Sequence, residues 1–368
     1  MLGDLTIQNF RCFKDFHIDD LARVNLIVGM NNSGKTSLLE AVYLLVNQDN
    51  PQRLSYLLHR RGEVIEQVTS EMPGEPPRYQ LYYDIRHLFY GHTPSLEQKI
   101  SFGSKTDYIR PLQIYIARHQ QQPLSAQYLS VSAFNLIFSL AQGQSFTIPL
   151  NSDLLIDTRW FQQLLSSNPY PNPLLPNIDL ITNKTWFIPS SNLKIQDLSF
   201  MWNRIALTPE EDKVMKALRI LQPDIERVSF VTQPNFNRGI LLRRADQYPI
   251  PIGTMGEGLY RILNLAMAAV TVENGFLLVD EIETGLHYEK QTDMWRFILQ
   301  VAQQLNIQVF ATTHSWDCIC AFQEALDELE DRAVGKLFRL NRQDDNIKPV
   351  AYTADELAIA VPHSIEVR

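Results

Sequence analysis

Gly29-Met30-Asn31-Asn32-Ser33-Gly34-Lys35-Thr36 fits the pattern G-x-x-x-x-G-K-[ST], the P-loop, in which a glycine-rich turn wraps backbone N–H groups around phosphate. Several amides must point inward at a polyanion. Glycines supply the dihedrals that other residues avoid, and the N-terminus of a following helix adds partial positive charge. The flanks meet these demands: Arg23-Val24-Asn25-Leu26-Ile27-Val28 is a short β-branched apolar run, and Ser37 to Leu45 carries apolar residues at helical spacing. Lys35 is assigned to the β- and γ-phosphates and the Thr36 hydroxyl to a Mg²⁺ ion. Asn31, Asn32, Ser33, Gly34 and Ser37 are expected to line the cradle.

Composition narrows the setting. A chain of 368 residues can bury a sizeable core, and its length suggests two lobes. The net charge of −8 gives no chain-wide basic field for nucleic acid, although a local patch keeps duplex DNA a candidate partner. No apolar run reaches bilayer length and the N-terminus lacks a basic-then-apolar signal, so no membrane partner and a cytoplasmic location are expected. Cys12, Cys318 and Cys320 form neither a disulfide framework nor a C-x-x-C pair, and read as incidental thiols.

Around the P-loop, Leu2 to Phe10 and Phe16 to Asp19 read as strands of an antiparallel pair. Residues 51–70 read as a helical or irregular connector, and Pro73 to Pro77 as a turn. From about 78 to 150 the pattern is short and alternating, at 79–83, 112–116 and 128–132, without sustained heptads, so a β-rich insertion is expected and not a coiled-coil arm. Residues 166–177 read as a surface loop. Thr208-Pro209-Glu210-Glu211 combines a Thr N-cap, Pro at the first helical position and a Glu for a capping box, so a helix should run to about Leu221. Strands are expected around 227–232 and 239–244. The division that follows is a head formed by residues 1–50 and 225–368, with an inserted lobe at 51–224, β-rich to about 150 and then loop and helical.

Three further pieces carry chemistry. Phe276-Leu277-Leu278-Val279-Asp280-Glu281 is an apolar strand ending in two carboxylates, the form of a Walker B strand. Asp280 is the candidate Mg²⁺ ligand beside Thr36, and Glu281 the candidate base for the attacking water. Gly253-Thr254-Met255-Gly256-Glu257-Gly258 opens a second helical pattern and so offers a second anion site, with Thr254, Gly256 and Glu257 as its contacts. One ATP in one subunit does not need two such turns; the economical reading is that this one caps the γ-phosphate held by another subunit. Ile307 to Ser315 is a further strand ending in a polar cluster, where His314 could donate to that phosphate or to the water. Arg243-Arg244 and His59-Arg60-Arg61 are short basic runs, each either a phosphate contact or solvated surface.

The order P-loop, glycine-rich turn, Asp-Glu and Thr-His resembles the ABC-type ATPases of the SMC/RecF/OLD branch. The likeness is closest at Ile7 to Phe13 with Val24 to Thr36, at Asp280 to His287, and at Ala311 to Ser315. It implies a P-loop NTPase of α/β class, an ABC-type head with a mixed sheet flanked by helices, plus the insertion. It also implies ATP and Mg²⁺ as cofactors, with Lys35, Glu281 and His314 catalytic and Asp280 and Thr36 on the metal. Arg11 sits where related ATPases carry a basic residue near the phosphates. In such families two heads sandwich two ATPs, so a homodimer or higher homo-oligomer is expected. Here Thr254 stands for the signature serine and Met255 for the glycine after it. OLD nucleases continue into a Toprim domain, for which the residues after His314 leave no room; the expectation is an OLD-like ATPase without nuclease activity of its own. It would act as sensor or scaffold for a separate Toprim-like nuclease or toxin in phage defence, with a RecF-like clamp on duplex DNA as the alternative.

Overall fold

A computed structural model describes residues 1–70, 78–96, 98–106, 109–118, 134–140, 143–161, 185–233, 236–245, 247–363 and 365–367. The turn at 73–77, the strand at 128–132 and the loop at 166–177 expected from the sequence lie outside these residues.

The centre is a six-stranded mixed sheet in the order Thr185–Ile188, Phe276–Val279, Gln308–Thr312, Val24–Val28, Gly335–Gln343 and Asn346–Tyr352. The first five run parallel and the last returns antiparallel through a hairpin whose turn holds Asp344-Asp345. Strands covered on both faces need apolar residues at consecutive positions, and the period of two sorts them between the faces. Val24, Leu26, Val28, Leu277, Val279, Val309, Ala311 and Leu337 enter one core with the helices Glu257–Thr271, Gln291–Gln304 and Trp316–Asp327. Ile27, Leu278, Phe310 and Phe338 enter the other, against the P-loop helix Lys35–Val46.

That helix is buried nearly all round, because a second sheet covers its far side. This sheet is wholly antiparallel, in the order Phe13–Ile18, Leu5–Phe10, Lys99–Gly103, Leu112–Arg118, Phe134–Leu140 and Ser145–Leu150. The expected N-terminal hairpin is present, with Leu5 opposite Ile18. Within the stretch read as an inserted lobe, the structure ties Lys99–Gly103 to Leu5–Phe10 and Thr185–Ile188 to Phe276–Val279, so hydrogen-bonded sheet crosses both of its borders. The connector at 51–70 divides into a helix, Gln52–Arg60, and a strand, Val64–Ser70. The helix Pro209–Leu221 has the expected bounds. Its start differs in detail from the expected box: the Thr208 hydroxyl donates back to the Ile205 carbonyl, and the Glu211 carboxylate takes the Leu207 N–H.

Beneath the P-loop helix lies a buried ionic cluster. Glu40, with no exposed surface, has Arg11 Nε 2.5 Å from one carboxylate oxygen and accepts from Arg61 Nε at 2.7 Å on the other. Arg11 also donates to Glu63 at 2.6 Å. Arg11 lies in the turn joining the first two strands with φ near 50°, and its N–H donates to the Leu88 carbonyl. The cluster thus connects the antiparallel sheet, the P-loop helix and the end of helix Gln52–Arg60. Removing the shared anion leaves Arg61 without its carboxylate and Arg11 with Glu63 alone. Glu40→Leu is therefore expected to cost about 3–5 kcal/mol of stability, measured as a lowered midpoint in urea unfolding at neutral pH.

Candidate functional site

The P-loop turns at Gly29 and Gly34, with φ of 144° and 98°. Space as well as dihedral demands glycine there. A Cβ at Gly29 would lie 2.7 Å from Ser33 Oγ and 2.8 Å from the Leu340 carbonyl; one at Gly34 would lie 2.9 Å from both Cys12 Sγ and the Phe13 ring. Lys35 Nζ donates to the carbonyls of Gly29 at 2.7 Å and Met30 at 2.9 Å, folding back across the mouth of its own loop. The side chain is 6% exposed. Burial pulls its pKa down to about 8, against the opposing pull of Asp280, Glu281 and Glu283. Ser33 Oγ is buried without a hydrogen-bond partner among the described residues, a spare hydroxyl inside the loop, while Asn31 and Asn32 are exposed. Ser37 lies one step further, its hydroxyl accepting from Arg61 at 3.4 Å.

Parallel pairing brings the strand ends together. Thr36 Oγ1 donates to both carboxylate oxygens of Asp280 at 3.2 Å, and Thr312 Oγ1, at the end of the neighbouring strand, donates to Asp280 Oδ1 at 2.8 Å. Arg60 Nη2 lies 3.2 Å from Asp280 Oδ2, with its guanidinium stacked 3.9 Å above the Phe187 ring. Glu281 follows in the left-handed region, φ near 49°, and its N–H donates to Thr312 Oγ1. Its carboxylate is half exposed, with His314 Nε2 3.9 Å away. Glu283 accepts from Thr313 Oγ1 at 2.7 Å and from the His314 N–H at 3.2 Å, so it anchors the turn that carries His314. Lys35, Thr36, Asp280, Glu281 and His314 therefore form one cluster at the carboxyl ends of the strands, where open α/β sheets hold ligands.

The second glycine turn stands apart from that cluster. Gly256, with φ near 89°, precedes helix Glu257–Thr271, whose first amides have no side-chain cap. Thr254 and Glu257 are exposed, and Thr254 Oγ1 donates to the Pro251 carbonyl. Among the described residues no hydrogen bond or ion pair joins Thr254, Gly256 or Glu257 to Lys35, Thr36 or Asp280. The turn packs instead on Gly285: a Cβ at Gly258 would lie 2.7 Å from the Gly285 carbonyl. A recess of about 310 Å³ opens beside it, with His287 and Lys290 in its wall.

Other expectations are changed by the fold. Arg11, expected near the phosphates, has its guanidinium committed to Glu40 and Glu63. Arg61 is committed to Glu40, Arg243 to Glu226 and Arg244 to Asp224, so these basic runs find carboxylates within the chain. Arg60, read only as a phosphate contact or surface charge, reaches Asp280. Thr312, Glu283 and Arg261 have site contacts that the sequence reading did not assign. For Arg261 a signal existed: it is the one charged residue in the largely apolar run Leu259 to Ala266.

Residues 24–317, from the P-loop strand to just past His314, match the family model described as "AAA domain, putative AbiEii toxin, Type IV TA system". The chain belongs to this AAA-domain family. A Helicobacter pylori protein named ATP/GTP phosphatase is 26% identical to it across 97% of both chains. The DNA replication and repair protein RecF of Vibrio campbellii is 54% identical over 44 residues, 12% of each chain. A solved SMC head bound to the C-winged helix domain of ScpA aligns over 97% of this chain and 99% of that one, at a TM-score of 0.46 and 15% identity.

As a member of a P-loop ATPase family, the protein can be tested for fit to nucleotide and metal. The orphaned Ser33 hydroxyl and the two glycine positions fit a phosphate cradle. A hydroxyl and a carboxylate 3.2 Å apart are hard oxygen donors of the kind Mg²⁺ takes, completing its shell with phosphate and water. No cluster of three metal-binding side chains is found among the described residues, and an ion bound largely through the nucleotide does not need one. No described helix is long and apolar enough to cross a membrane.

Lys35 gives the site a pH dependence. Phosphate binding favours its protonated form, so the pKa in the complex must exceed the value of about 8 in the free protein. ATP affinity should be flat below pH 8 and fall by up to about tenfold per unit above it. Titrations with a fluorescent ATP analogue from pH 7 to 9.5 check this. Folding has the opposite slope: between about 8 and the unfolded-state value the unfolded chain binds more protons, so the Lys35 contribution to stability rises with pH.

Proposed function

We propose that this AAA-domain protein is a Mg²⁺-dependent ATPase that works as an ATP-bridged homodimer or higher homo-oligomer and controls a separate effector, a nuclease or toxin, in defence against phage. The observation that carries the reading is the division of the site. One chain brings Lys35, Thr36, Asp280, Glu281 and His314 together, while among the described residues no hydrogen bond or ion pair joins the exposed Thr254, Gly256 or Glu257 to any of them. Two copies related head to head give each P-loop the other's turn.

In this reading each side chain has a task. Lys35 neutralises phosphate charge, and Thr36 and Asp280 hold the metal. A Mg²⁺ held there would supply positive charge to the phosphate oxygens. Glu281, half exposed and outside the hydrogen bonds that occupy Asp280, takes the proton of the attacking water. His314, 3.9 Å from that carboxylate, donates toward the same oxygen atoms. Asn31, Asn32, Ser33, Gly34 and Ser37 line the cradle. The relative named ATP/GTP phosphatase supports nucleotide hydrolysis. Residues 1–50 and 225–368 act as the head, joined in its central sheet by Thr185–Ile188 from the intervening stretch 51–224.

Glu281→Gln tests this reading. Hydrolysis should fall by roughly 10²–10⁴-fold, the range for a lost general base. With ATP and Mg²⁺ the variant should elute as a dimer in size exclusion with light scattering. A variant that stays monomeric in saturating ATP at every concentration reached excludes the bridged dimer. Co-purification from the native host identifies the effector.

The local identity to RecF favours a second reading, a clamp on duplex DNA. It calls for hydrolysis stimulated by duplex DNA and for binding that weakens steeply with salt. Hydrolysis indifferent to DNA removes it.

A further inference from the structure

We propose that Arg261 is a positioning residue that fixes the backbone of Glu281 in its working conformation, an inference that rests on Glu281 being the hydrolytic base. Arg261 lies in the second turn of helix Glu257–Thr271, 1% exposed, among buried Leu259, Ile262 and Leu263. A cation sunk in such surroundings ordinarily faces a carboxylate. The guanidinium of Arg261 is spent on three carbonyl oxygens: Pro189 from Nη1 at 2.6 Å, and Asp280 and Glu281 from Nη2 at 2.7 and 2.8 Å. Its Nε is buried without a hydrogen-bond partner among the described residues.

The two carbonyls on Nη2 belong to the peptide groups on either side of Glu281. Holding both planes holds φ and ψ of the residue between them. Glu281 needs holding, because its φ near 49° lies in the left-handed region that a side-chain-bearing residue enters at a cost. Thr312 Oγ1 secures the remaining amide, accepting from Glu281 N at 2.8 Å. The peptide on the C-terminal side is also held by the Ile282 N–H on the Thr312 carbonyl at 3.0 Å and by the Thr284 N–H on the Glu281 carbonyl at 3.1 Å, so Arg261 adds the one charged donor to a backbone-bonded turn, and its loss loosens that turn without opening it. A looser turn shifts the carboxylate from its place 3.9 Å from His314 Nε2, by the small distance to which proton transfer is sensitive.

Arg261 also links two parts of the site. It sits five residues past Gly256, on the helix that the second glycine turn opens, so a displacement of that turn reaches Glu281 through one rigid helical segment and one side chain. Proline 189 ends the chain of contacts at the edge strand Thr185–Ile188.

The test compares the full-length wild type with Arg261→Met, Arg261→Lys, Glu281→Gln and the double variant Glu281→Gln/Arg261→Met. Single-turnover hydrolysis, steady-state kcat and ATP affinity are measured for each. Arg261→Met should lower kcat by roughly 100-fold, the scale of a misplacement of about 1 Å, with ATP affinity nearly unchanged. Arg261→Lys, which keeps a donor able to reach one carbonyl, should fall between it and wild type. The double variant should be no slower than Glu281→Gln alone, because Arg261 acts through Glu281. An Arg261→Met protein with wild-type kcat, or a double variant whose loss is the product of the two single losses, overturns the proposal. Should Arg261→Met fail to fold, Arg261→Lys decides: lowered kcat at unchanged affinity supports positioning, and unchanged kcat refutes it. Glu281→Gln hydrolysing ATP at the wild-type rate overturns the assignment of the base itself. An inert Glu281→Gln beside a fully active Arg261→Met overturns the proposal for Arg261 alone.

Discussion

The carboxylate of Asp280 receives hydrogen bonds from Thr36 and Thr312 and an ionic contact from Arg60. Everything around it depends on the register of parallel strands that makes this meeting happen. Val279 lies opposite Ala311, and Thr312 opposite Ile27, so the first polar residue after each strand emerges at nearly the same level. A one-residue slip in either pair would reverse which side chains face each core and would move Asp280 from Thr36. The apolar alternation that sorts the two cores is therefore also what aligns the site.

The electrostatics are arranged in two tiers. Below the P-loop helix, Glu40 is clamped between Arg11 and Arg61 and serves to join elements. At the strand ends, Lys35, Arg60 and Arg261 face Asp280, Glu281 and Glu283 at the boundary with solvent. The charges of the lower tier are paired with one another. The upper tier keeps groups in reserve: among the described residues the Ser33 hydroxyl and the second oxygen of Glu283 are buried with neither a hydrogen-bond partner nor an ion pair. Reserve capacity of this kind is useful where a charged ligand is to be received and costly elsewhere.

Local pattern made the P-loop, the acidic strand and the Thr-His strand legible, since each is a contiguous run whose polar residues follow an apolar strand. Their convergence followed from the parallel-sheet rule. Pairings that span long stretches of chain left no such mark. Lys99–Gly103 beside Leu5–Phe10 is an antiparallel pairing across more than ninety residues, and nothing in either run names the other. The short run Thr185–Ile188 carries no sign that it borders the acidic strand. Arg11 and Arg60 could be recognised as basic residues near a phosphate loop. Which carboxylate each would meet depended on the packing of helix Gln52–Arg60 and the first β-turn, and packing is not written in a window of residues.

The contact between Gly258 and the Gly285 carbonyl has an evolutionary consequence. At either place a side chain would meet the other loop, with 2.7 Å available at Gly258 and 3.2 Å to Glu257 Cβ at Gly285, where φ is also positive. Neither position can drift by itself. The two loops form one inherited unit: a lineage that alters one must alter the path of the other in the same step, or do without their contact.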